Sequence, residues 1–212
     1  MTTAHEIFFV AGTDTGVGKT WWSVELLLAA NKANKKTLGL KPVAAGATQT
    51  PQGWRNDDAL ALQAASTVQL PYELINPVCL PLAASPHLAA RAAGVAIDAA
   101  ALAQKIRATA VQAELTIIEG AGGWLTPLND RQTMADVATE LAAPVLLIVG
   151  LRLGCLNHAQ LTVDGIQARG LPLAGWIANE LANDHGGRDA QIDYLSQKFG
   201  RPPLHVGSLL KR

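Results

Sequence analysis

Short, almost wholly apolar runs alternate along the chain with longer segments whose apolar residues recur at helical spacing. Strands are expected near 6–11 (EIFFVA), 37–41 (TLGLK), 74–79, 115–119 (LTIIE), 145–149 (VLLIV) and 173–178 (LAGWIA), with a last one at 203–206. Runs without polar alternation fit strands covered on both faces, the condition found in parallel sheets. Between them, helices are expected at about 19–33, 57–67, 87–93, 99–113, 133–142, 157–169 and 187–199. The first would gather Trp21, Val24, Leu27 and Leu28 on one face. Asp98 and Asn157 are the expected N-caps of two helices, and Gly170 is the expected C′ residue after another. Strands and helices in alternation predict right-handed βαβ units. The fold class is therefore α/β: a single-domain, doubly wound, mostly parallel sheet with helices on both faces.

Composition agrees with that reading and narrows the partners. With 49% hydrophobic and 16% charged residues the chain can bury a core and is not disordered. Lysine plus arginine equals aspartate plus glutamate at 17 each, so no net field draws it to nucleic acid or to an anionic membrane. Cys79 and Cys155 lie far apart and read as reduced thiols. The N-terminal "MTTAHEIFFVAG" lacks the basic and long apolar regions of a signal peptide, and the apolar runs are too short to span a bilayer. A cytoplasmic location is expected.

The first strand runs into "TDTGVGK" and then into a helix start, "TWWSVELLLAA". Strand, glycine-rich turn and helix form the context in which a phosphate-binding loop can be recognised, and they predict a P-loop NTPase fold. Backbone N–H groups and the helix N-terminus would converge on an anion. Lys19 would reach the β and γ phosphates, the Thr20 hydroxyl would ligate Mg²⁺, and Gly18 would let the backbone approach closely. One detail departs from the usual spacing of four residues between the opening glycine and Gly-Lys-Thr. Here five residues separate Gly12 from Gly18, with Gly16 among them.

In doubly wound sheets ligands sit beyond the carboxyl ends of the strands. Glu119 ends "LTIIE" ahead of the glycine-rich Gly120, Ala121 and Gly122, where its carboxylate would hold Mg²⁺ directly or through water, the alternative being a solvated strand-end glutamate. Lys41 ends the second strand just before Pro42. It is either a second ammonium at the phosphates or a surface lysine. Asp58 projects from a helix start as a metal ligand or simply as an acid favoured by the helix dipole. His87, after Pro86, reads as structural or as a substrate contact rather than as a catalyst. A Cys155–His158 nucleophile is rejected, because free N–H groups at that helix start suit a carboxylate better.

Taken together, these segments resemble the dethiobiotin synthetase family. The matching residues are Gly12-Thr-Asp-Thr-Gly-Val-Gly-Lys-Thr20, Lys41-Pro-Val-Ala-Ala-Gly46, Arg55-Asn-Asp-Asp-Ala-Leu60 and Ser85-Pro-His87. Glu119-Gly-Ala-Gly-Gly-Trp124, Leu153-Gly-Cys-Leu-Asn-His158 and Gly175-Trp-Ile-Ala-Asn179 follow in the family's order. The family's loop has the five-residue spacing found here. The resemblance implies ATP-dependent carboxylation and ring closure of 7,8-diaminononanoate with CO₂, through a carbamate and a carbamic–phosphoric anhydride.

It also implies residue roles. Gly16, Val17, Gly18, Lys19, Thr20 and Trp21 would wrap the phosphates, and Thr20, Asp58 and Glu119 would hold Mg²⁺. Gly120, Ala121 and Gly122 would lie along the nucleotide, and Asn179 with Glu180 at the adenine. Lys19 and Lys41 would neutralise the reacting groups as the catalytic pair, with Thr15 on the carbamate and Ala45 at the substrate. The family is a homodimer in which the substrate tail reaches the neighbouring subunit, at the segment holding Gly154 and Asn157. Three departures stand out: Ala45 replaces a common serine, Glu180 a common aspartate, and the tail "PPLHVGSLLKR" stops early where a further Pro-x-Leu segment usually walls the adenine. A catalytically weak paralogue and a partitioning-type P-loop ATPase are the alternatives. The second usually carries a Lys-Gly-Gly start, whereas this loop begins Ala11-Gly12-Thr13-Asp14.

Overall fold

The computed structural model describes residues 5–181 and 187–204. Its elements run β1 (Glu6–Gly12), α1 (Lys19–Lys32), β2 (Thr37–Leu40), β3 (Val43–Ala45), β4 (Thr48–Thr50), β5 (Gly53–Arg55), α2 (Asp57–Ala65), α3 (Tyr72–Ile75) and β6 (Val78–Leu80). Then follow α4 (Pro86–Ala93), α5 (Ala99–Ala110), β7 (Leu115–Glu119), α6 (Met134–Leu141), β8 (Val145–Leu151), α7 (Cys155–Ala168), β9 (Leu173–Glu180) and α8 (Arg188–Phe199).

Five strands form a parallel sheet in the order β2-β7-β1-β8-β9. Alternate residues of each strand enter different cores. Val10, Ile117, Leu146, Ile148 and Ile177 pack with Leu26 and Leu27 of α1 and Leu62 of α2. Phe9, Ile118, Leu147, Val149 and Trp176 face the opposite way, among residues of α5, α6 and α7. Helices on both faces explain why β7 and β8 are buried along their whole length. Succession leaves β1 in two directions, to β7 and β2 on one side and to β8 and β9 on the other, so a crevice opens at the carboxyl end of β1.

Several expectations are corrected by local chemistry. The strand expected at 74–79 is a helical turn, α3, followed by β6, because Pro77 interrupts the run and cannot donate to a ladder. The second strand stops at Leu40. Lys41 turns its N–H to the Ile75 carbonyl (2.9 Å), and Pro42 separates it from β3, which pairs with β6 in a small parallel sheet. The hairpin β4–β5, folded about Pro51 and Gly53 (φ 102°), was not anticipated because its strands are short and exposed. Helix α7 begins at Cys155, so Asn157 is its third residue rather than its N-cap. Gly154, at φ 92°, makes the turn instead. The buried face of α1 is Lys19, Ser23, Leu26, Leu27 and Ala30, and it leaves Trp21 and Leu28 exposed. Its phase follows from turning Lys19 inward. Asp98 caps α5 as expected, accepting from the Ala101 N–H at 2.8 Å, and Gly170 follows α7 with φ 68°. Of the strand expected at 203–206, residues 203 and 204 are not strand, although the Leu204 N–H bonds to the Trp176 carbonyl (2.7 Å). The remainder lies outside the described residues. Among the described residues no helix is long and apolar enough to cross a membrane.

Helix α6 starts on a charged capping arrangement. Asp136 accepts from the Thr133 N–H (2.6 Å) and hydroxyl (2.9 Å) and pairs with Arg169 of the α7 C-terminus (2.6 Å). Partial burial disfavours its charge, but the Thr133 backbone and Arg169 outweigh that and hold its carboxyl below the usual range. Asp136→Ala is expected to lower stability by about 1 kcal/mol at neutral pH, the typical worth of a lost cap. The carboxylate is bound more tightly folded than unfolded. Its contribution is thus complete above the ordinary aspartate pKa of about 3.9 and is lost as pH falls through the lower folded value. Denaturant unfolding of both proteins across that range checks this; a difference that grew on acidification would contradict it.

Candidate active site

β1 ends at Gly12, and residues 13–18 turn the chain into α1. Gly16 and Gly18 take φ values of 72° and 91°, and a Cβ on Gly18 would collide with the Asn179 amide. Lys19 lies back along this loop, its Nζ donating to the Asp14 carbonyl at 2.9 Å. The Asp14 carboxylate accepts from the Thr15 N–H (2.7 Å) and from Arg152 (2.6 Å).

Opposite the loop stand the ends of β2 and β7. Lys41 and Glu119 are buried, and Lys41 Nζ lies 2.5 Å from Glu119 Oε1 and 2.9 Å from Asp58 Oδ2. The Thr20 hydroxyl donates to the same Glu119 oxygen at 2.8 Å. Glu119 Oε2 is fully buried with no hydrogen-bond partner among the described residues. Such an orphan acceptor is costly unless something else occupies it. Asp58 projects from the first turn of α2, behind the N-cap Asn56, with 43% of its side chain exposed.

Burial opposes the charge of Lys41, but Glu119 and Asp58 outweigh it and raise its pKa above the ordinary lysine value. Burial also disfavours charge on Asp58, and Lys41 reverses this to hold its carboxyl low. Among the described residues Lys19 has no paired carboxylate. Burial, then repulsion by Lys41, lowers its pKa to about 8. An arriving anion would therefore complete the Lys19 environment, whereas Lys41 is already compensated.

A cavity of about 390 Å³ is lined by Thr15, Gly16, Gly18, Lys19, Thr20, Lys41, Asp58, Glu119 and Gly122. A second, of about 470 Å³, shares Thr15, Lys41, Asp58 and Gly122, and extends past Ala45, Ala121 and Ser85. The two spaces meet at Lys41 and Asp58. This is a two-chamber arrangement, with a candidate anion cradle carrying two lysines and two carboxylates on one side and a chamber sharing only Lys41 and Asp58 of these on the other. Thr20, Asp58 and Glu119 supply a hydroxyl and two carboxylates, one with a vacant acceptor, which suits a hard divalent cation sharing phosphate oxygens.

Other expected residues contribute less directly or stand apart. Val17 is buried and offers its carbonyl to Asn179 (2.9 Å). Gly120 donates its N–H to the Val10 carbonyl (3.0 Å), and a Cβ there would press on the Phe9 ring at 3.1 Å. Trp21 is exposed. Glu180 is exposed too, pairs with Arg188 at 2.5 Å and lines none of these cavities. Gly154 and Asn157 sit on the exposed start of α7, away from both chambers. His87 Nδ1 contacts Ser85 Oγ (3.0 Å), and Cys155 contacts Gln191 (3.5 Å) rather than His158. Residues 205–212, where the adenine wall was expected to be missing, lie outside the described residues.

Sequence reasoning missed the support beneath Lys41 and Asp58. The Tyr72 hydroxyl accepts from the Asn56 N–H (2.8 Å) and donates to Asn76 Oδ1 (3.1 Å), while Asn76 Nδ2 donates to the Lys41 carbonyl (2.6 Å). Arg55 lies over the Tyr72 ring, 4.2 Å from its centre. One phenol thus ties the cap of α2 to the end of β2. Its only sequence signal is the four-residue spacing of Tyr72 and Asn76 across α3.

Comparison with known proteins adds an independent line. A family model described as an AAA domain matches residues 6–209. The chain is 51% identical over 203 residues to the ATP-dependent dethiobiotin synthetase BioD of Cellvibrio japonicus (strain Ueda107), covering 96% of this chain and 89% of the relative. It is 49% identical over 205 residues to that of Marinobacter nauticus (strain ATCC 700491 / DSM 11845 / VT8), covering 96% and 88%. Among solved structures, a ParA family ATPase from Chlorobium tepidum TLS superposes with a TM-score of 0.57 over 94% of this chain and 83% of its own, at 13% identity. That last likeness is one of fold.

The Tyr72 network makes a testable claim about the site's support. Tyr72→Phe leaves the Asn56 N–H and the Asn76 carbonyl without their partner. It is expected to cost about 1–3 kcal/mol in denaturant unfolding, the penalty for stranding buried polar groups. A variant as stable as the unaltered protein would mean that the phenol bears no load between α2 and β2.

Proposed function

The chain belongs to the ATP-dependent dethiobiotin synthetase family, and on that premise we propose that it carboxylates and cyclises 7,8-diaminononanoate with CO₂, converting ATP to ADP and phosphate in biotin biosynthesis. The observation that carries the reading is the buried Lys41, held between Asp58 and Glu119 where the anion cradle opens into the second chamber. A permanently charged ammonium at that junction can serve two anions at once, the carbamate from one side and the terminal phosphoryl group from the other.

In this mechanism one amine of the substrate adds to CO₂ and loses a proton to give the carbamate. Thr15, at the mouth shared by both chambers, would donate to it. A carbamate oxygen attacks the γ-phosphorus in line and ADP departs. The second amine then attacks the carbonyl carbon of the mixed anhydride, phosphate leaves and the ring closes with loss of a proton. The protein forms no covalent bond. Its work is positioning, together with Lys19 and Lys41 neutralising charge as it moves. Mg²⁺ would be held by Thr20, Asp58 and Glu119 and would supply charge neutralisation on the phosphate oxygens. Ala45 places a methyl in the second chamber, which gives the substrate apolar contact there in place of a hydroxyl.

A homodimer follows from the same reading. Leu125, Leu153 and Leu161 are 60%, 84% and 62% exposed, an apolar surface of the kind that a partner subunit covers. Gly154 and Asn157 stand on that side, where they would receive the carboxylate tail of the substrate bound to the neighbouring subunit.

The reaction is tested by supplying MgATP and bicarbonate, adding the diamine, and following phosphate release and product mass. Phosphate release is expected to depend on the diamine and to match cyclic urea formation; release indifferent to the diamine would overturn the proposal. Lys41→Gln, which keeps a donor for the buried Glu119, is expected to bind MgATP nearly unchanged. It should lower kcat by about 10²–10³-fold, as loss of a charge aimed at the transition state does. An intact kcat with lost nucleotide affinity would reassign Lys41 to simple phosphate binding.

A further inference from the structure

The phosphate cavity is chemically lopsided. Lys41, Asp58 and Glu119 close it beyond β2 and β7, on one side of the central β1. A nucleoside triphosphate whose terminal phosphoryl group lies there directs its nucleoside the other way, towards the ends of β8 and β9. Asn179, the second-last residue of β9, is there with its amide docked on the phosphate loop itself. The Trp22 indole N–H donates to Asn179 Oδ1 at 2.9 Å, and Asn179 Nδ2 donates to the Val17 carbonyl at 2.9 Å. Gly18, lacking a Cβ, makes room for the amide.

These partners leave the amide no choice of orientation. An indole N–H can only donate and a backbone carbonyl can only accept, so a half-turn of the amide would face donor with donor and acceptor with acceptor. Trp22 is itself braced edge-on against the exposed Trp21, with ring centres 4.7 Å apart. Both aromatics follow directly on Gly-Lys-Thr, so the loop and the amide share one covalent anchor.

We propose that Trp22 is a positioning residue that sets the nucleobase preference of the site through Asn179. With one Oδ1 lone pair and one Nδ2 hydrogen engaged, the fixed amide keeps one acceptor and one donor for a base. Adenine presents an amino donor beside the N7 acceptor, whereas guanine presents O6 and N7, both acceptors. A fixed amide therefore pairs with adenine and sets oxygen against oxygen with guanine. An amide released from Trp22 keeps only the Val17 carbonyl to orient it, so it can tilt its second Nδ2 hydrogen towards a guanine acceptor and hold its oxygen away from the base. This rests on the reading of the site as one for a purine nucleoside triphosphate, and it adds the residue that decides between purines.

Calorimetric titration of the full chain with MgADP and with MgGDP tests it, using the unaltered protein, Trp22→Phe, Asn179→Ala and the double variant. Trp22→Phe is expected to narrow the preference for ADP about tenfold, in line with the loss of one restraining hydrogen bond. Trp22→Phe should change nothing further once Asn179 is alanine. If Asn179→Ala abolishes the preference but Trp22→Phe leaves it whole, the role of Trp22 is overturned and base reading by Asn179 stands. If Asn179→Ala leaves the preference whole, the base-reading premise itself falls. Should Trp22→Phe not fold, hydrogen exchange of the Trp22 indole proton in the unaltered protein decides. Protection that Asn179→Ala removes supports the clamp, and exchange as fast as in free tryptophan overturns it.

Discussion

A lysine ammonium enclosed between two carboxylates is the interaction on which the rest of this site depends. Lys41 Nζ contacts Glu119 and Asp58 at 2.5 and 2.9 Å, and Glu119 is wholly buried. Desolvating such charges costs several kcal/mol per ion unless each is matched, so neither Lys41 nor Glu119 can be removed alone without stranding the other. In the proposed reaction the gain is functional. A charge already satisfied by the protein does not need to be ordered when anions arrive, and it stands where two chambers meet. Lys19, without such partners among the described residues and with its pKa lowered to about 8, is the complementary case, a cation whose environment an anionic ligand would complete.

The backbone delivers these groups by a small number of devices. Parallel strands buried on both faces end at a common edge and fix the origins of Lys41, Glu119 and Asn179. Pro42 halts β2, so the Lys41 N–H and carbonyl turn to Ile75 and Asn76 rather than to a neighbouring strand. The Tyr72 phenol then registers that strand end against the N-cap of α2, which carries Asp58. At the other end, positive φ at Gly16 and Gly18 shapes the loop, and the Trp22–Asn179–Val17 bridge fastens it to β9.

How much of this could be read in the sequence depended on whether the signal was local. The sheet, the glycine-rich loop and the strand-end positions of Lys41 and Glu119 were legible because short apolar runs and a glycine-rich strand-to-helix junction are local patterns. The burial of Lys41 was left open, since spacing alone does not distinguish a surface lysine from one that meets Glu119 from 78 residues away. The face of α1 was misjudged because its sequence is apolar nearly all round, and the inward turn of Lys19, not the leucines, sets its phase. Tyr72, Asn76 and Trp22 were not singled out, for each acts through a hydrogen bond to a residue that only tertiary contact brings near: Asn56, Lys41 and Asn179 respectively. The split of the expected strand 74–79 and the start of α7 at Gly154 both turned on single proline and glycine residues.

In the proposed reaction, the chemical sense of the two-chamber site lies in transferring a phosphoryl group to an oxygen that entered as CO₂. Running a single turnover with ¹⁸O-labelled CO₂, before the label exchanges with water, and weighing the released phosphate by mass spectrometry tests this directly. Attack by the carbamate predicts one labelled oxygen in each phosphate, because the bridging oxygen of the mixed anhydride leaves with phosphorus. Phosphate carrying only oxygens from ATP and water would contradict the account, since it would mean that ATP is hydrolysed at this site without the carbamate ever reaching the γ-phosphorus.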